Sequence, residues 1–356
     1  VSITALAPPE TAEEGTARQR AARARRRTLR LFGLLAAAAA LGVVVVLSVA
    51  VGAREIPFTT AWSLLWRHDG SDAAVIVHDY RIPRTLLGVL VGVSLGLAGA
   101  LMQALTRNPL ADPGLLGVNM GASTGVVAAI AFLGLSTVTG YVWCALLGAA
   151  AASVLVYLLG SAGPGAATPE RLVLAGAAMT AVLFSFNTAV LLLNPRAFDR
   201  FRFWNIGSLA GRYTDVLLPV LPFAAAGTLL ALALMRPLNA LAMGDQLGRA
   251  LGARVGLVRG LGVGAVVLLC GAATAAAGPI GFVGLAVPHV ARFVAGPDQR
   301  WVLPYSMLLA PVLLLGSDVA GRALAAPGEL QVGIVTAFLG APVFIALCRR
   351  RRVAAP

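Results

Sequence analysis

Lysine is absent from the 356 residues, so all 28 basic side chains are arginine. A Walker-type phosphate loop ends in Gly-Lys-Ser/Thr. A chain without lysine cannot build it, which excludes ATP hydrolysis by that route. Charge of either sign is scarce: 12% of residues carry it, about half the share of a soluble domain. The three histidines, His68, His78 and His289, are scattered, and Cys144, Cys270 and Cys348 sit in apolar stretches without metal-ligand spacing. The cysteines read as small buried hydrophobes. Nothing suggests a resident metal or cofactor. Carboxylates are missing from the apolar blocks, since Asp112, Glu170, Asp318 and Glu329 fall at their ends. Ion-coupled transporters bury such groups as relays, so a secondary transporter of the major facilitator type, which would also need twelve spans, is disfavoured. A membrane scaffold without transport is a further alternative.

What remains is 58% hydrophobic. The block between Arg30 and Arg54 holds 23 uncharged residues, which as a helix reaches roughly 34 Å, enough to cross a hydrocarbon core of about 30 Å. The pattern predicts an all-α polytopic membrane protein with ten spans. They fall at about 31–51, 84–107, 115–135, 140–160, 172–193, 216–235, 258–277, 280–295, 301–317 and 332–348. Gly88, Gly92, Gly96 and Gly99 in the second span suit a tightly packed bundle. An Arg-rich tail, expected to be disordered, covers 1–30, the permeating domain 31–348 and a short basic tail 349–356. Placing both termini in the cytoplasm puts 19 of the 28 arginines inside and 9 outside. The net charge of +13 therefore reads as topology with anionic lipid headgroups as partners, not as a nucleic-acid surface.

The loops carry the candidate functional residues. Arg81 and Arg84 flank Pro83 at the outer start of the second span, and Trp62, Trp66 and Tyr80 read as interfacial aromatics. Asn108, Pro109 and Leu110 end the second span on the inner side, and Thr168, Pro169 and Glu170 begin the fifth. Segment 236–259 alternates apolar groups with Gly and Arg, which predicts one or two short amphipathic helices with Leu247 and Leu251 on a common face. In "GPIGFVGLAVPHVARFVAGPDQR", from Gly278, Pro288 interrupts a span, and His289 and Arg292 follow on one face. This predicts a kink, with Arg292 reaching water or headgroups at the cytoplasmic end.

Several long blocks resemble one family. They are "RIPRTLLGVLVGVSLGLAGALMQALTRNPLADPGLLGVNMGAS" from Arg81, "FWNIGSLAGRYTDV" from Phe203, "PLNALAMGDQLGRALGARV" from Pro237, the Gly278 block, and "SDVAGRALAAPGELQVGIVTAFLGAPVF" from Ser317. Together, over about 40–348, they resemble the FecCD-type permease subunits of type II ABC importers, which serve iron–siderophore and vitamin B12 uptake. Gly248 stands where the family usually has Ala, and Asp298-Gln299-Arg300 where it has Asp-His-Arg. The resemblance implies a non-catalytic subunit of the bacterial inner membrane. Its partners would be a second permease, two cytoplasmic ATPases and an extracytoplasmic binding protein that delivers a ferric siderophore, with vitamin B12 or haem as alternative substrates. It further implies that Arg81, Arg84 and Arg322 dock the binding protein. Asn239, Leu241, Gly244, Asp245, Leu247, Arg249, Leu251 and Gly252 would couple to the ATPase. Asn108, Leu110, Thr168, Pro169 and Glu170 would lie near the cytoplasmic gate.

Overall fold

A computed structural model describes residues 12–351, except positions 53, 55, 68, 163–168, 251, 253 and 327. Thr168 and Leu251 lie outside the described residues, as do 1–11 and 352–356. The described chain is helical throughout, in the order α1 (Ala12–Ala50), α2 (Phe58–Leu64), α3 (Asp72–Val75), α4 (Ile82–Thr106), α5 (Val118–Ala131), α6 (Val138–Ser161), α7 (Pro169–Leu193), α8 (Pro195–Asn205), α9 (Thr214–Ala233), α10 (Met235–Ala242), α11 (Asp245–Ala250), α12 (Val255–Ala277), α13 (Val283–Ala295), α14 (Gln299–Leu324) and α15 (Val332–Arg351). A π-helical turn, Ile76–Arg81, runs directly into α4, and a 3-10 turn, Pro113–Leu116, precedes α5.

Each of the ten expected spans coincides with one of these helices. Among the described residues, seven helices are long and apolar enough to cross a membrane, and 118–131, 283–295 and 332–345 form three shorter apolar helices. The 13 residues of α13 reach only about 20 Å, less than a hydrocarbon core. Two details differ from the sequence expectation. The segment expected to be a tail is helical from Ala12, continuous with α1, because its Ala- and Arg-rich stretch favours helix. The loop at 194–215 contains α8, opened by Pro195 and capped by Asn194 Oδ1, which accepts from the Ala197 amide at 3.1 Å.

The bundle is built around α4, the most enclosed span. Its glycines explain how. A methyl group on Gly92 would stand 2.5 Å from Pro311 Cα, and one on Gly96 2.5 Å from Ser306 O, so α14 lies directly on the α4 backbone. On the neighbouring face, Gly99 meets Gly284 of α13, where an added methyl would come within 1.9 Å of the carbonyl oxygen.

The spans converge on two rims. The upper rim holds the C-terminus of α1, the π turn, the α8–α9 loop and the end of α14. The lower rim holds the end of α4, α10, α11 and the start of α14. The α8–α9 loop is pinned at the upper rim. Ser208 N–H donates to Ala277 O at 2.7 Å and Gly333 N–H to Gly207 O at 3.1 Å. Gly207 has φ of +79°, with Pro279 O 2.5 Å from where a methyl would sit, so no other residue fits there.

Candidate functional site

At the upper rim the structure brings Arg81, Arg84 and Arg322 together, but spends them internally. Arg81 and Arg322 are buried. Arg81 Nη1 donates to Val49 O at 2.9 Å and Ala50 O at 2.7 Å, and Nη2 donates to Arg54 O at 2.6 Å. Arg322 Nη1 donates to Ser48 O at 3.1 Å and Val51 O at 2.5 Å. The last carbonyls of a helix have no partner within it, and here two guanidiniums supply the donors for α1. Arg84 forks onto both oxygens of fully buried Asp318, at 3.1 and 2.8 Å, and reaches Glu329 at 2.8 Å. Arg322 Nη2 reaches Asp318 at 3.0 Å. Of the three arginines expected to dock a partner, Arg81 and Arg322 thus engage N–H groups in helix capping and ion pairing within the chain, while all three line the rim cavity.

The same rim encloses a cavity of about 290 Å³, lined by those three arginines together with Arg54, Arg212, Tyr80 and Glu329. Sequence reasoning missed Arg212. It closes the "SLAGR" of the loop motif, and its lone Arg among Gly and Ala was the available signal. Burial pushes its pKa down to about 10, against the opposing pull of Tyr141 and Asp215.

At the lower rim, Asp245 is a hub. Its carboxylate accepts from Arg107 Nη2, at the end of α4, and from Arg259 Nη2 of α12 at 3.0 Å. Arg107 Nε also donates to Leu241 O at 3.0 Å. Asn239 Nδ2 donates to Asp298 at 2.6 Å, and its Oδ1 accepts from the Gln299 amide at 2.8 Å. Segment 236–259 is therefore tied to α4, α12 and α14. Arg107 and Arg259 were not singled out in the sequence, since their roles need partners 138 and 14 residues away; Asp298 was noted only as part of a turn, without its partner Asn239. Within the segment, Leu241 and Gly248 are buried, so they hold it in place and offer no outward surface. Gly244 and Gly252 take φ of +107° and +83°. Leu247 is 60% exposed and its neighbour Met243 63%. Arg249 lines a cavity with Arg259, Tyr157 and Leu105.

Of the residues expected near a cytoplasmic gate, Asn108 and Glu170 share one surface recess. Asn108 Oδ1 accepts from the Leu110 amide at 2.9 Å, closing the turn. Pro169 opens α7.

Pro288 lies inside α13 and has no N–H for the carbonyl four residues earlier, that of Gly284. Buried Gln103 of α4 supplies the donor: its Nε2 lies 3.4 Å from Gly284 O and 3.2 Å from Leu285 O. Its Oε1 in turn accepts from Arg292 Nη2. His289 Nε2 hydrogen bonds Pro109 O at 2.8 Å. Both polar side chains point into the contact with α4 and its following turn. Arg292, expected to reach water or headgroups, is half-buried and finds an acceptor inside the bundle in Gln103.

Residues 40–350 match the FecCD transport family. The chain belongs to that family. FecCD relatives cover nearly the whole bundle. The chain is 48% identical over 306 residues, 86% of its length and 91% of the relative's, to the ferric enterobactin transport system permease protein FepD of Escherichia coli K12. It is 42% identical over 295 residues, 82% and 89% of the two chains, to the probable siderophore transport system permease protein YfiZ of Bacillus subtilis 168. Among solved structures, an inward-facing conformation described as that of a putative metal-chelate type ABC transporter superposes with a TM-score of 0.79 at 26% identity, over 89% of this chain and 98% of the other. This FecCD protein is a multi-pass inner-membrane permease of the ABC importer type.

Proposed function

We propose that the chain forms the translocation path for a ferric siderophore, without catalytic activity of its own. A second permease completes the path, two cytoplasmic ATPases drive it, and an extracytoplasmic binding protein delivers the chelate. The lower rim is then cytoplasmic and the upper rim faces the binding protein. The observation that carries the coupling to an ATPase is the pair Met243 and Leu247. Two large apolar side chains stand in the open on a segment clamped through Asp245 to α4 and α12. Apolar anchors on a rigid mount suit insertion into a partner's groove, and the clamp carries the partner's motion into two spans. The siderophore assignment is supported by the names of relatives at 48% and 42% identity. Haem and cobalamin permeases are also relatives, at 36% and 38%.

Met243→Asp combined with Leu247→Asp tests the coupling role. Burying those charges in a groove is strongly unfavourable, whereas the spans are untouched. The expected result is normal membrane insertion with loss of ATPase co-purification and of ferric-siderophore uptake. Parental pull-down and uptake would refute it. Competition of labelled siderophore uptake by excess haem or cobalamin separates the substrate readings.

A further inference from the structure

The upper-rim cavity has a charge problem that the chain alone does not solve. Five guanidiniums line it, those of Arg54, Arg81, Arg84, Arg212 and Arg322, against one carboxylate, Glu329. Asp318 adds a second negative charge, already divided between Arg84 and Arg322. Arg81 spends its donors on carbonyls at the end of α1 and on Arg54 O just beyond it. Arg212 is different. It is only 5% exposed, and its Nε and Nη1 have no hydrogen-bond partner. Tyr141 and Asp215 act on it electrostatically, but Asp215 Oδ2 accepts a hydrogen bond from Thr139 Oγ1 at 2.7 Å. A buried guanidinium short of acceptors is unfavourable unless something supplies the anion.

We propose that this cavity is an anion receptor centred on Arg212, taking an anionic oxygen group of the transported ferric chelate as it leaves the binding protein. The planar fork of Arg212 suits carboxylate or catecholate oxygens. A volume of about 290 Å³ accommodates one arm of a chelate, not the whole. The loop bearing Arg212 is pinned to α12 and α15 through Ser208 and Gly207, so an anion held there bears directly on the ends of two spans. The permease thereby selects chelates by charge. This inference rests on the siderophore reading above.

The test uses the assembled importer with its ATPases. Binding of an anionic ferric tris-catecholate and of a cationic ferric tris-hydroxamate is measured for the parental protein, Arg212→Gln and Arg212→Lys. The parental importer should prefer the anionic probe. Arg212→Gln should weaken that probe at least about tenfold, the scale of one lost charge-assisted hydrogen bond, and Arg212→Lys should recover part of the loss. Equal weakening of both probes, or no change, overturns the proposal. A second arm measures the affinity of chelate-free binding protein for the importer. It should stay within about twofold in Arg212→Gln. A tenfold loss there would assign the cavity to a carboxylate of the binding protein and overturn the chelate assignment. An importer that takes up no ferric chelate sinks the siderophore reading itself, whereas normal uptake with charge selection independent of Arg212 sinks this inference alone.

Discussion

The Gln103–Pro288 pair can be tested by a double-mutant cycle. Gln103→Met keeps the shape of the side chain but removes both hydrogen-bonding ends. Gly284 O then has neither a Pro288 N–H nor the Gln103 amide, and Arg292 loses one acceptor. An orphaned buried polar group costs about 1–3 kcal/mol, so the single change should destabilise by about 2–4 kcal/mol. Pro288→Ala alters the expectation. Alanine restores the N–H that bonds four residues back, so Gly284 O no longer depends on Gln103. In that background Gln103→Met should cost about 1–2 kcal/mol less, an interaction energy within the range for contacting residues. Unfolding of the purified protein in mixed micelles, titrated with SDS, reads all four corners. Equal cost of Gln103→Met in both backgrounds would refute the link between the proline and the glutamine, and a cost under about 0.5 kcal/mol would refute the burial argument.

Two further stability effects follow from the upper rim. Asp318→Asn removes the buried charge shared by Arg84 and Arg322 and should cost about 3–5 kcal/mol, read as a lowered melting temperature; a neutral effect would mean that the guanidiniums are satisfied without it. Arg212→Met should stabilise the chelate-free protein at pH 7 by about 1–3 kcal/mol, because burial disfavours the charged form. The pKa of Arg212 is depressed to about 10, so the penalty on the parental protein is present below that pH and fades as pH rises through it. The advantage of the methionine variant should therefore shrink in melts at pH 11. An unchanged advantage there would show that packing, not charge, sets the difference.

The sequence by itself determined the class of protein and the course of its chain. Long blocks without charge have one stable form in lipid, the hydrogen-bonded helix, and the positions of Arg and Pro mark where each block ends. Absent lysine excluded a P-loop, and five ordered blocks pointed to the FecCD family. Pro288 was legible as a missing donor, since proline's chemistry is local. Its remedy was not, because Gln103 lies 181 residues from Gly284 along the chain. Arg81 and Arg322 looked free for a partner for the same reason: the carbonyls that take their hydrogen bonds belong to the end of α1 and the residues just after it, 27 to 32 and 271 to 274 residues away. A guanidinium's role depends on which acceptors lie within about 3 Å, and only packing decides that. The tertiary structure thus moved the unspent positive charge of the upper rim to Arg212, whose local signal, a lone Arg closing "SLAGR", does not reveal that its acceptors are missing.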